Sequence, residues 1–400
     1  MEGFFSDSSK QSNAPLSTIP LCGACGLHKK CISPRMKMVG KGRKKILCVV
    51  DSPGEFEDRD NVHLYGRAGQ LLRQHLGRFG VSLDKDCWLT NAVICRRNKK
   101  DKPTDEQIKM CRPNLLKRIK QTDPNIIILF GETAMKSFLP TIFKEQIGTT
   151  SRWGGSSIPC QKPNAWICPT FHPSFLLSKN NNAAEIMFHE HLAATLKHKD
   201  KPKVIRDQKY RVNIIYKPAE AARVIEEIMK QWGQFDFPVA FDYETNCLKP
   251  DGEGTEILSC AVSNGTTTIA YPWMGEAIEA TSSLLKSPIP KIASNLKFEE
   301  RWTKAKLGHR VKNWWWDTMI GAHVIDNKAG ITSVKFQAFV LLGAKSWDDH
   351  IKPYKNSTGG TKFNRMKEVD LKDLLMYNGL DALYEYKVAK KQVKIIRRRK

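Results

Sequence analysis

At 400 residues the chain has room for two domains of ordinary size, each with its own core. Its 65 Lys and Arg against 41 Asp and Glu leave a formal net charge of +24, which calls for a polyanionic partner. No apolar run approaches the roughly 20 residues of a membrane span, and the polar, Ser-rich start MEGFFSDSSKQSNAP lacks the basic head and apolar block of a secretory signal. Residues 1–15 are therefore expected to be a flexible N-terminus of a cytoplasmic protein with no membrane partner, and the 11 Cys to be thiols or metal ligands rather than disulfides.

From residue 16 to 196, short β-type runs alternate with helical patterns. KKILCVV, CWLTNAVI, NIIILFG and AWICPTF are the expected strands, and AGQLLRQHLGRF, DEQIKMCRPNLLKRIKQ and ETAMKSFL the helices between them. That alternation predicts an α/β domain with a mostly parallel sheet covered on both faces. KHKDKPKVIRDQ, residues 197–208, is polar, charged and interrupted by Pro, and reads as the interdomain linker.

Cysteine spacing is the next signal. Cys22 and Cys25 form a CxxC, while Cys95 and Cys111 have fifteen residues between them. Structural zinc commonly takes two close pairs, an iron–sulfur cluster accepts less regular spacing, and buried unligated thiols are the third reading.

The order CxxC, DSPGEFED, YGRAGQLL, LTNAVICR, a second Cys on a helix, IIILFG and TFHPSFLL resembles the family-4 uracil-DNA glycosylases, over about 160 residues. The resemblance implies a parallel-sheet sandwich with a [4Fe–4S] cluster on Cys22, Cys25, Cys95 and Cys111, leaving Cys31 as a spare thiol. It also implies that Asn91 reads the uracil edge, that His172 donates to the uracil carbonyl as charge develops, and that Arg67 contacts phosphate. Phe175 and Leu176 would wedge into the stack left by the flipped base. Two departures sit at the chemistry. Where the family reads GEAPG this chain reads VDSPG, so Asp51 replaces a Glu, and Leu64 stands where the family has a ring stacking on uracil. Loss of a stacking ring removes on the order of 1–3 kcal/mol of base binding. The domain is accordingly expected either to excise uracil or to recognise it, or DNA, without cutting.

The last third carries a carboxylate set. Asp242 and Glu244 end the apolar run PVAFDYE two residues apart, so a strand puts both on one face. Glu299 lies in NLKFEE, and Tyr377 and Asp381 in YNGLD have the i, i+4 spacing of one helix face. Clustered carboxylates repel one another in low dielectric and call for cations, two Mg²⁺ or Mn²⁺ gripping a phosphodiester being the expected solution.

In this order the segments resemble the ExoI, ExoII and ExoIII motifs of the proofreading 3'-5' exonuclease domain of DNA polymerase I, from about Tyr210 to Val388. The resemblance implies an RNase H-like (DnaQ-like) fold in which Asp242, Glu244, Glu299 and Asp381 hold the metals and Tyr377 orients the attacking water. The family usually has Asp where Glu299 stands. Residues 209–400 form this expected domain, ending in the basic tail KVAKKQVKIIRRRK.

Among the remaining features, WWW at 314–316 cannot all face one groove, so at least one of the three is expected in the core. His63, His75, His189, His191 and His198 form no recognisable metal pattern, and GEGTE and STGGTK are too short to be nucleotide cradles. The whole reads as a DNA 3'-end exonuclease for proofreading in replication or repair, behind a uracil-DNA glycosylase-like domain. Some bacteriophage polymerase I-like proteins have this order followed by a polymerase. The expectation is therefore a separate polymerase partner or a missing polymerase segment, acting on single-stranded 3' ends, uracil-containing strands included, in the host cytoplasm if the protein is viral. The competing class is an adaptor that binds DNA and is silent at both sites.

Overall fold

Continuous β-branched runs bounded by turns dictate the first sheet. The computed structural model describes residues 22–97, 102–177, 182–200, 211–233, 237–357 and 362–398. The expected N-terminus 1–15, residues 201–208 of the expected linker and the last two residues of the tail lie outside them. The described residues fall into two units, the first ending at residue 200 and the second resuming at residue 211, with the short segment 157–161 grouped with the second.

The strands of the first sheet are β1 (Ile46–Val50), β2 (Cys87–Asn91), β3 (Ile126–Phe130), β4 (Ile158–Gln161) and β5 (Asn164–Thr170), in the order β2-β1-β3-β5-β4. β2, β1, β3 and β5 pair with one another in parallel. The first unit's helices are α1 (Glu55–Asp60), α2 (Arg67–Gly77), α3 (Leu83–Asp86), α4 (Asp105–Thr122), α5 (Glu132–Phe138), α6 (Thr150–Trp153), α7 (Pro173–Leu176) and α8 (Asn182–Leu196). β1 and β3 are buried along their whole length, which is why they read as unbroken apolar runs rather than alternating ones. β2 stops at Asn91, three residues short of the apolar run, because Ala92 and Val93 donate back to Val50 and Asp51 and turn the chain away. Parallel alignment brings the residues after β1, β2, β3 and β5 to one carboxyl edge, where open α/β sheets build their sites.

In the second unit the strands are β6 (Asn213–Ile214), β7 (Val239–Thr245), β8 (Ile257–Ser263), β9 (Thr268–Pro272), β10 (Lys291–Ala293) and β11 (Trp314–Asp317), in the order β11-β10-β7-β8-β9-β6. The helices are α9 (Pro218–Lys230), α10 (Glu276–Lys286), α11 (Lys297–Leu307), α12 (Thr318–Ile325), α13 (Val334–Leu342) and α14 (Leu371–Arg397). β7 lies inside the sheet, parallel to β10 and antiparallel to β8. Its pleat divides the side chains. Phe241 and Tyr243 enter the core with Ile225 of α9 and Leu284 of α10, while Ala240 packs with Tyr386 and Ala389 of α14. Asp242 and Glu244 share the face of Ala240. Helix α14 sits low on that face because Gly379 has no side chain: a Cβ there would meet Val212 Cγ1 at 2.2 Å.

Trp314 stacks on Phe241 at 5.5 Å and Trp316 donates to Gln392 Oε1 at 2.9 Å, whereas Trp315 is the exposed member of the triplet. Two of the three rings are thus packing elements. No described helix is long and apolar enough to cross a membrane.

Candidate active sites

β7 and α14 between them assemble the acidic site. Asp242, Glu244 and Asp381 each offer an oxygen within 4.8 Å of the others. A shift in the β7–β8 register between Glu244 and Thr245 marks a bulge directly beside them. Glu299 enters from the first turn of α11; it is 2% exposed and its Oε2 has no hydrogen-bond partner. Asp317 sets that helix in place, accepting from the backbone N–H groups of Asn295 and Leu296 at 3.0 and 3.1 Å and capping α12 with the same carboxylate.

Burial and mutual repulsion dominate the electrostatics. Burial, then the Asp381 charge, pushes Asp242 up to about 8. Burial, then Asp242, raises both Glu244 and Glu299 well above the usual carboxylate range. Tyr377 is buried and, for the same reasons, stays a neutral phenol. A set of half-buried and buried oxygen ligands, one of them unpartnered, has the chemistry of a site for a hard divalent cation.

Four residues of this site were not legible as site residues. Lys335, at the start of α13, donates to both Asp381 oxygens at 2.9 and 3.0 Å and to the Tyr377 hydroxyl at 3.2 Å. Burial pulls its ammonium pKa down, but the Asp381 carboxylate outweighs that and the net shift is upward. Trp347 Nε1 donates to Asp381 Oδ1 at 2.8 Å. Asn378 Nδ2 donates to Asp242 Oδ2 at 2.7 Å and is itself fixed by the Ser259 hydroxyl at 2.8 Å. Glu385 lies one turn beyond Asp381 on α14. Only Asn378 and Glu385 carried a signal, their helical spacing to Asp381; Lys335 and Trp347 lie 46 and 34 residues away in sequence with no motif around them.

At the carboxyl edge of the first sheet stand Asp51 after β1, Asn91 at the end of β2 and His172 after β5. Asn91 is buried; its Oδ1 makes no full hydrogen bond, and the buried His63 ring interacts with its side chain. His172 Nδ1 accepts from the Ser174 N–H at 3.2 Å, which leaves Nε2 to carry the proton of the neutral ring; burial lowers its pKa, with Asp51 opposing. Asp51 accepts from Thr133 N at 3.1 Å and Ala134 N at 3.3 Å, at the start of α5, and burial raises its pKa. Gly131 makes room for it, since a Cβ there would lie 2.7 Å from Asp51 Oδ1.

The loops adjust the sequence reading. Leu64 is 3% exposed and belongs to the core, whereas Tyr65 beside it is 64% exposed. Arg67 is exposed at the first turn of α2, and Gly66 before it faces open space. Phe175 is exposed, but Leu176 is not available as a wedge: it is 8% exposed and packs in the same core as Leu64. The α7 turn rotates it inward and leaves Leu177 exposed instead.

Cys22, Cys25, Cys95 and Cys111 line one cavity together with Leu27, Val93 and Ile94. Arg35 N donates to Cys95 Sγ at 3.3 Å, and Ile94 N to Cys111 Sγ at 3.4 Å. Burial pushes the Cys95 thiol up to about 12 and raises Cys111. Four sulfurs around one apolar cavity, two of them already receiving N–H donors, fit an iron–sulfur cluster better than scattered free thiols. Cys31 is not among the lining residues.

Comparison with known proteins finds relatives for both units. The uracil DNA glycosylase superfamily model matches residues 37–197, and a 3'-5' exonuclease model matches residues 212–397. The chain is 32% identical to a type-4 uracil-DNA glycosylase of Thermotoga maritima over 167 residues, 40% of this chain and 80% of that protein. It is 30% identical to one of Pyrobaculum aerophilum over 168 residues, again 40% and 80%. Similarity to the DNA polymerase of Bacillus phage SP01 runs through both units, at 25% identity over 319 residues, 72% of this chain and 33% of the polymerase. Through its first unit the chain belongs to the type-4 uracil-DNA glycosylases, joined here to a 3'-5' exonuclease domain.

Proposed function

We propose that the second unit removes nucleotides from DNA 3' ends and that the first surveys the strand for uracil, as parts of a replication or repair assembly that includes a polymerase. The observation that carries the first half is the convergence of Asp242, Glu244 and Asp381 within 4.8 Å beside the unpartnered Glu299. Two Mg²⁺ or Mn²⁺ ions held by Asp242, Glu244, Glu299 and Asp381 would polarise water and stabilise the leaving oxygen. Asn378 aims the Asp242 carboxylate, and Lys335 holds Asp381 and Tyr377 together in the metal-free site. The Tyr377 hydroxyl orients the water. The water oxygen bonds to the terminal phosphorus as its proton is lost to solvent, the bond to the penultimate 3'-oxygen breaks and that oxygen takes up a proton, and a 5'-mononucleotide leaves. Asp242→Ala is expected to abolish Mg²⁺-dependent degradation of a 5'-labelled single strand; undiminished degradation refutes the assignment.

For the first unit, the reading rests on Asn91. Its Oδ1 would accept the N3–H of a flipped uracil, and the His172 Nε2–H would donate to the uracil carbonyl as the C1'–N1 bond breaks and its electrons move onto the base. Water then completes the sugar at C1'. A [4Fe–4S] cluster on Cys22, Cys25, Cys95 and Cys111 would tie the segment at Cys22 to α4. Arg67 would take a phosphate, and Phe175 with Leu177 would fill the vacated stack. A second reading, recognition without excision, is favoured by the packing of Leu64 into the core and the anchoring of Asp51 on α5. Protein in EDTA, given a 5'-labelled strand with one uracil and then alkali, separates the two: a break at uracil means excision, and an uncut strand with selective uracil binding means sensing. The working division is a glycosylase domain over 16–196, a linker over 197–208 and an exonuclease domain over 209–400, acting in the cytoplasm.

A further inference from the structure

Glu385 has no part in the mechanism above, yet it is the most exceptional carboxylate of the second unit. It follows Asp381 by four residues on α14, so both side chains leave the same face of the helix. It is 2% exposed, and its Oε2 is buried without a hydrogen-bond partner. Glu299, from α11, is in the same condition. The charged groups that act on Glu385 are Asp242, Glu299 and Asp381, all repelling it, and Lys335, whose Nζ is engaged by Asp381.

The unpartnered Oε2 is unusual for a carboxylate kept only for stability. A buried carboxylate kept for stability is paired with a cation or with N–H donors, because an unmet polar atom costs about 1–3 kcal/mol. A buried neutral acid places its O–H or its carbonyl in a hydrogen bond, and Oε2 makes neither. Two orphaned carboxylate oxygens, from two helices, lie outside the three carboxylates that converge within 4.8 Å and interact electrostatically with them, and a hard cation is a partner that would satisfy them.

We propose that Glu385 is a fifth anionic ligand of the divalent-cation centre, beside Asp242, Glu244, Glu299 and Asp381. This rests on the exonuclease reading and adds to it a ligand contributed by the second turn of the same helix stripe that carries Tyr377 and Asp381. The centre then holds its cations with more negative charge than four carboxylates supply, and the metal-free protein carries correspondingly more repulsion.

The test is Mn²⁺ binding by electron paramagnetic resonance on the full chain stripped with a chelator, with thermal unfolding in EDTA alongside. Glu385→Gln keeps the shape of a neutral acid and removes the charge. It is expected to weaken Mn²⁺ binding by on the order of 10-fold and to unfold in EDTA at or above the wild-type temperature. Unchanged Mn²⁺ affinity in Glu385→Gln overturns the proposal, as does a lower unfolding temperature in EDTA, which would mean the fold holds the carboxylate rather than straining against it. Asp242→Asn separates the two levels: if it weakens Mn²⁺ binding and Glu385→Gln does not, only the fifth ligand is lost. If neither variant differs from wild type, the cation centre itself is wrong.

Discussion

Replacing Lys335 by Met removes the charge that the metal-free site leans on while keeping most of the side-chain volume. The ammonium makes two bonds to Asp381 and one to Tyr377, and lies 5.3 Å and 4.9 Å from the ring centroids of Trp347 and Tyr377. Without it, Asp381 keeps the Trp347 N–H as a donor but loses the cation that pairs with its carboxylate. Removing one partner of a buried ion pair costs about 3 kcal/mol or more. At roughly 2–4 °C per kcal/mol for a unit of this size, the unfolding temperature in EDTA falls by about 6–12 °C. Saturating Mg²⁺ changes the result, because the cation neutralises Asp381 from the other side; the deficit then shrinks to a few degrees at most. Differential scanning calorimetry in EDTA and in Mg²⁺ reads both numbers, following the transition that moves with Mg²⁺. An equal deficit under the two conditions refutes the reasoning, since Lys335 would then be packing that no cation can replace.

Asn378→Ala frees the Asp242 carboxylate and is expected to lower kcat by roughly 100-fold with KM little changed, the signature of a misaligned ligand in single-strand degradation kinetics. The metal-free second unit is expected to lose stability as pH rises from about 4 to about 8. Asp242 has its folded pKa raised to about 8, so the folded state binds the extra proton and its contribution is complete below the unfolded pKa; unfolding in EDTA across that range should show the fall, and Mg²⁺ should flatten it. In the first unit, Asn91→Ala is expected to abolish any preference for uracil over thymine in fluorescence-anisotropy binding while leaving general strand affinity in place.

What could be read from the chain was local. The period of two in PVAFDYE and the i, i+4 spacing in YNGLD each place side chains on a common face, and the structure has them there, on β7 and α14. The parallel β-runs of the first unit were legible because strands buried on both faces are continuously apolar. Lys335 was not legible because a Lys at the start of a helix is ordinarily solvated, and nothing near it in sequence says that Asp381 waits on another helix. Leu176 failed for a related reason: FHPSFLL offers three apolar side chains to a wedge, and only the sense of the α7 turn decides that Leu176 goes inward while Phe175 and Leu177 stay out. Glu385 stands to Asp381 as Asp381 stands to Tyr377, four residues on along the helix, but it belongs to no motif of the chain.

The charge of the whole chain and the charge of the nuclease site have opposite signs, and that opposition divides the work of binding. A net charge of +24 draws a polyanionic strand to the protein and makes its affinity sensitive to salt. The same attraction cannot carry the last phosphate into a pocket of buried carboxylates, where a strand would exchange water for repulsion. Lys335 does not change this, because both of its short contacts to acid go to Asp381. On the two-cation reading proposed above, the positive charge that admits the scissile phosphate comes largely with the cations, so capture of the strand is expected to weaken with monovalent salt and seating of its 3' end to require a divalent cation.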